Sequence, residues 1–287
     1  MSSGALASTR PAGSPQRAAA KRPPFGISGR FVLMLVVLAV FFAVWEAGVH
    51  FTGTLEIILP KPSSIFLALV DGFTQPVTSR ASYFYHAQQS LSQIFAGYAV
   101  GCTLGLLLAM VSVRFAIVEY LLRPFIVALQ SMPKIALAPV LIVWFGLGFN
   151  SKFVLVILAT FFPLFVNGVT GFKSVDEGPL LMMRSFGASP RQIFTKLTLP
   201  TGLPFIFAGL EIAMVHAITS GIAAEFLGGQ RGLGTMILIS QQIIDVPGMF
   251  SILVILAFIG WLMSVLIGFL RRRIVYWAPE RVRAARL

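Results

Sequence analysis

The 287-residue chain is 57% hydrophobic and only 11% charged, against about 25% charged residues in an ordinary soluble domain. So little charge cannot cover a soluble protein of this size, which excludes a soluble enzyme or a disordered chain and leaves a membrane protein. The net charge of +12 gives no reason to expect nucleic acid, because the basic residues gather at the ends of long apolar runs instead of forming one face.

Residues 1–30 are rich in Ser, Ala, Pro, Gly and Arg without periodicity, as in a disordered basic tail. No small-x-small cleavage site follows the apolar run that begins at Phe31, so this run is expected to be a retained span, not a signal peptide. A helix needs about 20 largely apolar residues to cross a bilayer. Six segments meet that need, at residues 31–51, 87–112, 120–147, 152–172, 202–227 and 247–270. The third is interrupted by Pro133, Lys134 and Pro139, and the fifth carries Glu211 and Glu225.

The expected fold is therefore all-α and polytopic, with six transmembrane helices. With the N-terminus inside, cytoplasmic segments hold 17 of the 22 Lys and Arg residues and outer segments hold four: Lys61, Arg80, Lys152 and Arg231. That bias places both termini in the cytoplasm. Lys134 alone remains inside a span.

The second span carries Gly97, Gly101, Gly105 and Ala109 at fourfold spacing. Small residues on one helix face allow close backbone approach. The stripe serves either internal packing or a homodimer seam. Cys102 lies within the same apolar run and is expected to pack as a small hydrophobe.

Between spans four and five runs a cytoplasmic segment, residues 173–200, far longer than a simple helix connection of about two to eight residues. Gly187-Ala188-Ser189-Pro190 divides it into two short helices, with Ser189 as cap and Pro190 at the first helical position. A helix-turn-helix at the inner membrane surface suits docking on a soluble partner.

This segment resembles the cytoplasmic loop of ABC-type import permeases, whose pattern is E-A-A, three residues, G, nine residues, I-x-L-P. Gly187 occupies the glycine and Leu197-Thr198-Leu199-Pro200 the closing motif, while Leu181-Met182-Met183 stand where the pattern has E-A-A. The resemblance extends from about Tyr85 to Tyr276. It includes Met132-Pro133-Lys134-Ile135-Ala136-Leu137-Ala138-Pro139, Trp144-Phe145-Gly146-Leu147-Gly148, Phe161-Phe162-Pro163, Ala208-Gly209-Leu210, Ala224-Glu225-Phe226 and Arg231-Gly232-Leu233-Gly234. Together these are similar to the nitrate, sulfonate and taurine branch, which also includes permeases for pyrimidine precursors, riboflavin and aromatic acids.

The resemblance implies a multi-pass permease of a bacterial inner membrane, working as a homodimer with two ATP-binding-cassette ATPases and an extracytoplasmic substrate-binding protein. ATP and Mg would be bound by the ATPase. The sequence agrees independently, since it has no G-x-x-x-x-G-K-[ST] phosphate loop. No cofactor, metal site or catalytic constellation is expected on this chain. Implied ATPase-coupling residues are Leu181, Met182, Met183, Gly187, Ala188, Ser189, Leu197, Leu199 and Pro200. The expected parts are the tail 1–30, a first span with its outer connection at 31–84, a permease core at 85–276 and a basic tail at 277–287. The solute is expected to be small and anionic, or aromatic and heterocyclic.

Ionisable groups within spans invite functional readings. Lys134 either faces the pathway and attracts an anion or snorkels to the interface. Glu211 either pairs with Lys134, binds a cationic group or serves structure. His216, Thr219 and Ser220 share a helix face, which either lines the pathway or bonds to neighbouring helices. Glu225 resembles a fixed family feature at the outer mouth, suited to gating geometry. Gln130 and Asn167 are further pathway candidates. An ion-coupled secondary transporter is the alternative function, although six spans are few and no internal repeat is evident.

Overall fold

In a computed structural model, residues 27–277 are described; most of the expected tails, at 1–26 and 278–287, lies outside them. The chain divides into two units, residues 1–48 and 49–287. The first span, α1 (Ile27–Thr52), starts in the first unit and ends in the second. It is hydrophobic along most of its length, as lipid-facing composition requires.

In the second unit α2 (Pro62–Thr74) precedes α3 (Tyr83–Arg114), α4 (Ala116–Ser131), α5 (Ala138–Phe145) and α6 (Phe149–Lys173). Then come the short helices α7 (Glu177–Ser185) and α8 (Pro190–Ile193), α9 (Leu199–Gly228), α10 (Leu233–Gln242) and α11 (Val246–Ile274). Among the described residues all regular structure is helical. Five helical stretches among the described residues are long and apolar enough to cross a membrane, or six if a bent pair of helices is counted as one span.

That bent pair is where the expected third span departs from a single rod. Residues 116–131 and 134–145 meet at 93°. Pro133 lacks an N–H and its ring obstructs the preceding turn. The chain makes a 3-10 turn, Lys134–Leu137, before Pro139 opens α5. Two further helices, α2 and α10, occupy connections that apolar run length did not mark.

The core forms around α6, which packs against both α3 and α9. The small-residue stripe of α3 faces α6. A Cβ at Gly97 would lie 2.7 Å from Val156 Cβ, one at Gly101 2.7 Å from Ile157 O, and one at Gly105 2.5 Å from Phe161 O. Ala109 is fully buried and lies opposite Gly168 of α6. The stripe is thus consumed by packing within the chain, where the lack of a Cβ at three glycines lets two backbones approach. Cys102 is buried in the same region beside Phe162 and Phe165.

Candidate functional site

The break after α4 opens a cavity of about 360 Å³. Gln130 comes from the end of α4 and Lys134 from the 3-10 turn. Phe162, Pro163, Val166 and Asn167 come from α6, and Ile212 and His216 from α9. Four expected pathway residues, Gln130, Lys134, Asn167 and His216, therefore meet at one site although 86 positions separate the first from the last. Among the described residues lining it none is acidic, and Lys134 forms no ion pair among them. The cavity presents one ammonium, two amides and an imidazole against apolar walls, the mixture typical of a small-solute site. Broken helices at membrane depth are tolerated where they line such a space.

The other four pathway candidates lie elsewhere. Glu211 Oε1 is 3.4 Å from Arg271 Nη1 at the end of α11, so of the three roles open to it the structural one is seen and the pair with Lys134 does not form. The arginine wins because α11 runs alongside α9 and ends level with Glu211. Thr219 is exposed and donates its hydroxyl to Val215 O at 2.8 Å, while Ser220 is buried. The shared face of His216, Thr219 and Ser220 thus divides, and only His216 reaches the cavity.

Glu225 is fully buried near the end of α9. Its Oε1 accepts from Ser90 Oγ at 2.7 Å and from Gln93 Nε2, and its Oε2 accepts from Gly234 N at 2.7 Å. Ser90 Oγ also accepts from Leu233 N at 2.8 Å, and His86 Nδ1 accepts from Gly232 N at 3.1 Å. The first N–H groups of α10, which have no partner inside the helix, are thus capped by side chains from α3 and α9. Lys152, in the first turn of α6, donates to Arg231 O at 3.4 Å. A Cβ at Gly232 would collide with the Glu225 carboxylate, and its φ of +137° is one that side chains rarely adopt.

The segment between α6 and α9 is left uncovered by the rest of the chain on one side. Leu181 and Met182 are each 57% exposed and Phe186 is 83% exposed, whereas Met183 and Ala188 are half-buried. Gly187 makes the turn at φ +70°. The capping box forms as expected: Ser189 Oγ accepts from Gln192 N at 3.3 Å and Gln192 Oε1 accepts from Ser189 N at 2.8 Å. The second short helix does not end, however. A π-helical turn, Phe194–Thr198, carries α8 into α9, with Leu199 N bonding back to Phe194 O. Pro200 has no N–H to continue an α-helical ladder, and the wider turn accommodates it. Leu197 and Pro200 are half-buried, and Leu199 packs on the core with Phe172 and Ile206.

These features have a counterpart among known proteins. Residues 101–276 match the family described as "Binding-protein-dependent transport system inner membrane component". The chain belongs to this family. It is 33% identical over 251 residues to the formylaminopyrimidine transport permease protein ThiX of Halalkalibacterium halodurans, covering 88% of this chain and 95% of that one. It is 32% identical over 255 residues to the riboflavin transport system permease protein RibX of Chloroflexus aurantiacus, covering 89% and 91%. The taurine transport system permease protein TauC of Escherichia coli is 28% identical over 258 residues, covering 88% and 92%. Inward-facing MetNI, a methionine ABC transporter, shares the fold with a TM-score of 0.56 at 19% identity, covering 73% of this chain and 97% of that one.

For this binding-protein-dependent family member, sequence reasoning missed Lys152, Ser90, Gln93 and His86. Their spacing carried a signal: positions 86, 90 and 93 lie on one face of α3, in a polar stretch that opens an otherwise apolar span.

Proposed function

We propose that the chain forms the translocation pathway of an ABC importer in a bacterial inner membrane, and that the cavity at the α4 break is a station on it. The observation that carries this reading is the convergence of Lys134, His216, Gln130 and Asn167 on one cavity walled by Phe162, Val166 and Ile212. A cationic, amide-rich lining without a carboxylate suits a small solute with an anionic group on an apolar or aromatic body. Relatives named for taurine, riboflavin and formylaminopyrimidine transport agree with a small solute and differ in its chemistry.

The exposed Leu181, Met182 and Phe186 support docking of a soluble ATPase at residues 174–198, with ATP and Mg bound there. The basic bias supports an orientation with that face in the cytoplasm and the α10 end outside, where a substrate-binding protein delivers the solute. A second copy of the chain completes the assembly. The family gives no support to the ion-coupled alternative. Uptake by proteoliposomes containing the permease, its ATPase and its binding protein tests the reading. Solute accumulation should require all three with ATP, and accumulation driven by an ion gradient without the ATPase would overturn it.

A further inference from the structure

Gln230 and Arg231 are exposed at the tip of the turn between α9 and α10, with the Arg231 guanidinium 4.9 Å from the centre of the Tyr85 ring. The next four residues, 232–235, are all buried. Four successive backbone groups are each held by a different side chain: Arg231 O by Lys152, Gly232 N by His86, Leu233 N by Ser90 and Gly234 N by Glu225. These holders sit on α6, α3 and α9, so the turn is keyed to three helices at once.

Two of the three helices wall the cavity, and both lead to the segment between them. α6 carries Asn167 of the cavity and ends at Lys173, whose Nζ pairs with Glu119 of α4 at 2.6 Å. α9 carries His216 and continues without interruption into α8. A displacement of the tip therefore cannot be absorbed locally. It either breaks the buried bonds or moves both helices.

A buried carboxylate is an expensive way to hold a turn, since well-packed apolar residues are often as stable. The arrangement also holds unused capacity. Gln93 Oε1, Ser151 Oγ and Thr235 Oγ1 are buried without a hydrogen-bond partner among the described residues. Gln93 contacts Glu225, Ser151 precedes Lys152 and Thr235 follows Gly234. Buried polar groups are normally satisfied, so spare donors and acceptors around the carboxylate suit a network with a second arrangement.

We propose that Glu225, with Ser90 and Lys152, is a positioning element that transmits binding-protein docking at the Gln230 and Arg231 tip into α6 and α9. The inference rests on the importer reading. It assigns these residues a role in coupling and not in solute contact, since none of them lines the cavity.

The test uses the reconstituted complex of permease and ATPase, with the binding protein purified together with the solute it carries from the cell. ATPase rate is measured with and without that protein, alongside its Kd for the complex and the thermal stability of the complex. Glu225→Gln keeps the shape but puts a donor NH2 group where one of the two accepting carboxylate oxygens stood, and Ser90→Ala removes two bonds. Both should keep the basal rate and the Kd, while stimulation by the binding protein falls at least about fivefold, the low end of a typical coupling energy. Lys152→Met carries the same comparison where either variant fails to assemble.

Stimulation of these variants equal to wild type would overturn the inference, as would an equal loss of basal and stimulated rates or failure of all three to assemble, each of which marks a structural role. An unstimulated wild-type complex would instead overturn the importer reading itself.

Discussion

The Glu211 carboxylate faces the Arg271 guanidinium at 3.4 Å, joining the first half of α9 to the end of α11. Both side chains remain about a quarter exposed, so solvent screening limits what the pair contributes. A double-mutant cycle on thermal stability of Glu211→Ala and Arg271→Ala should give a coupling of up to about 1 kcal/mol. The cycle of Lys134→Ala with Glu211→Ala should be additive within about 0.5 kcal/mol. The reverse result would restore the Lys134 pair.

Lys134 stands without an ion-pair partner among the described residues at the cavity. Lys134→Ala should lower uptake of an anionic solute at least about tenfold, the effect of one lost charge contact near 1.4 kcal/mol, while membrane expression stays level. Lys134→Arg should retain most of the uptake. Unchanged uptake in the alanine variant would remove Lys134 from the pathway.

Gly101 of α3 has no space for a side chain, since its Cβ would meet Ile157 O at 2.7 Å. Gly101→Ala should cost about 1–3 kcal/mol of stability through overpacking, seen as a lower melting temperature in detergent. Gly260→Ala supplies the comparison, because its Cβ would come no closer than 3.8 Å to Ile218 Cδ1. Equal melting of the two variants would contradict the close approach of α3 to α6.

At Gly187 the positive φ is the obstacle, and open space surrounds the position. A β-branched residue there is strained by roughly 1–2 kcal/mol. Gly187→Val should therefore uncouple ATP hydrolysis from uptake while membrane insertion is retained, and Gly187→Asn should be milder because Asn tolerates this region. Full uptake in Gly187→Val would exclude the turn from coupling.

Cysteines placed at Leu181, Met182 and Phe186 should crosslink to the ATPase, and one at the core-facing Leu199 should not. The sole native cysteine, Cys102, is buried, so a Cys102→Ala background supplies the control. Absence of crosslinks at all three exposed positions would place the ATPase elsewhere.

The long apolar runs made α1, α3, α6, α9 and α11 legible, since a bilayer fixes both length and composition of a span. Gly187 to Pro190 was equally legible because turn and cap chemistry is local. The bonds of Glu225 were not. Ser90 and Gln93 lie 135 and 132 positions away in sequence, and hydrogen bonds that long in range leave no periodicity to read. The inward turn of Lys152 was hidden for a related reason. A lone lysine at the start of a span resembles a topology signal, yet its ammonium turns inward to Arg231 O.

The π-helical turn at Phe194–Thr198 has a practical consequence for chimeric transporters. It makes residues 190–228 one continuous helix, so a splice anywhere inside that stretch cuts a single rod and shifts its two ends by 100° for every residue gained or lost. The natural seams for exchanging the proposed ATPase address between relatives are Ser174, just past the end of α6, and Ser189, just past the Gly187 turn. A graft of residues 175–188 between those serines replaces α7 and its exposed side chains, and leaves the register of every helix at the cavity intact.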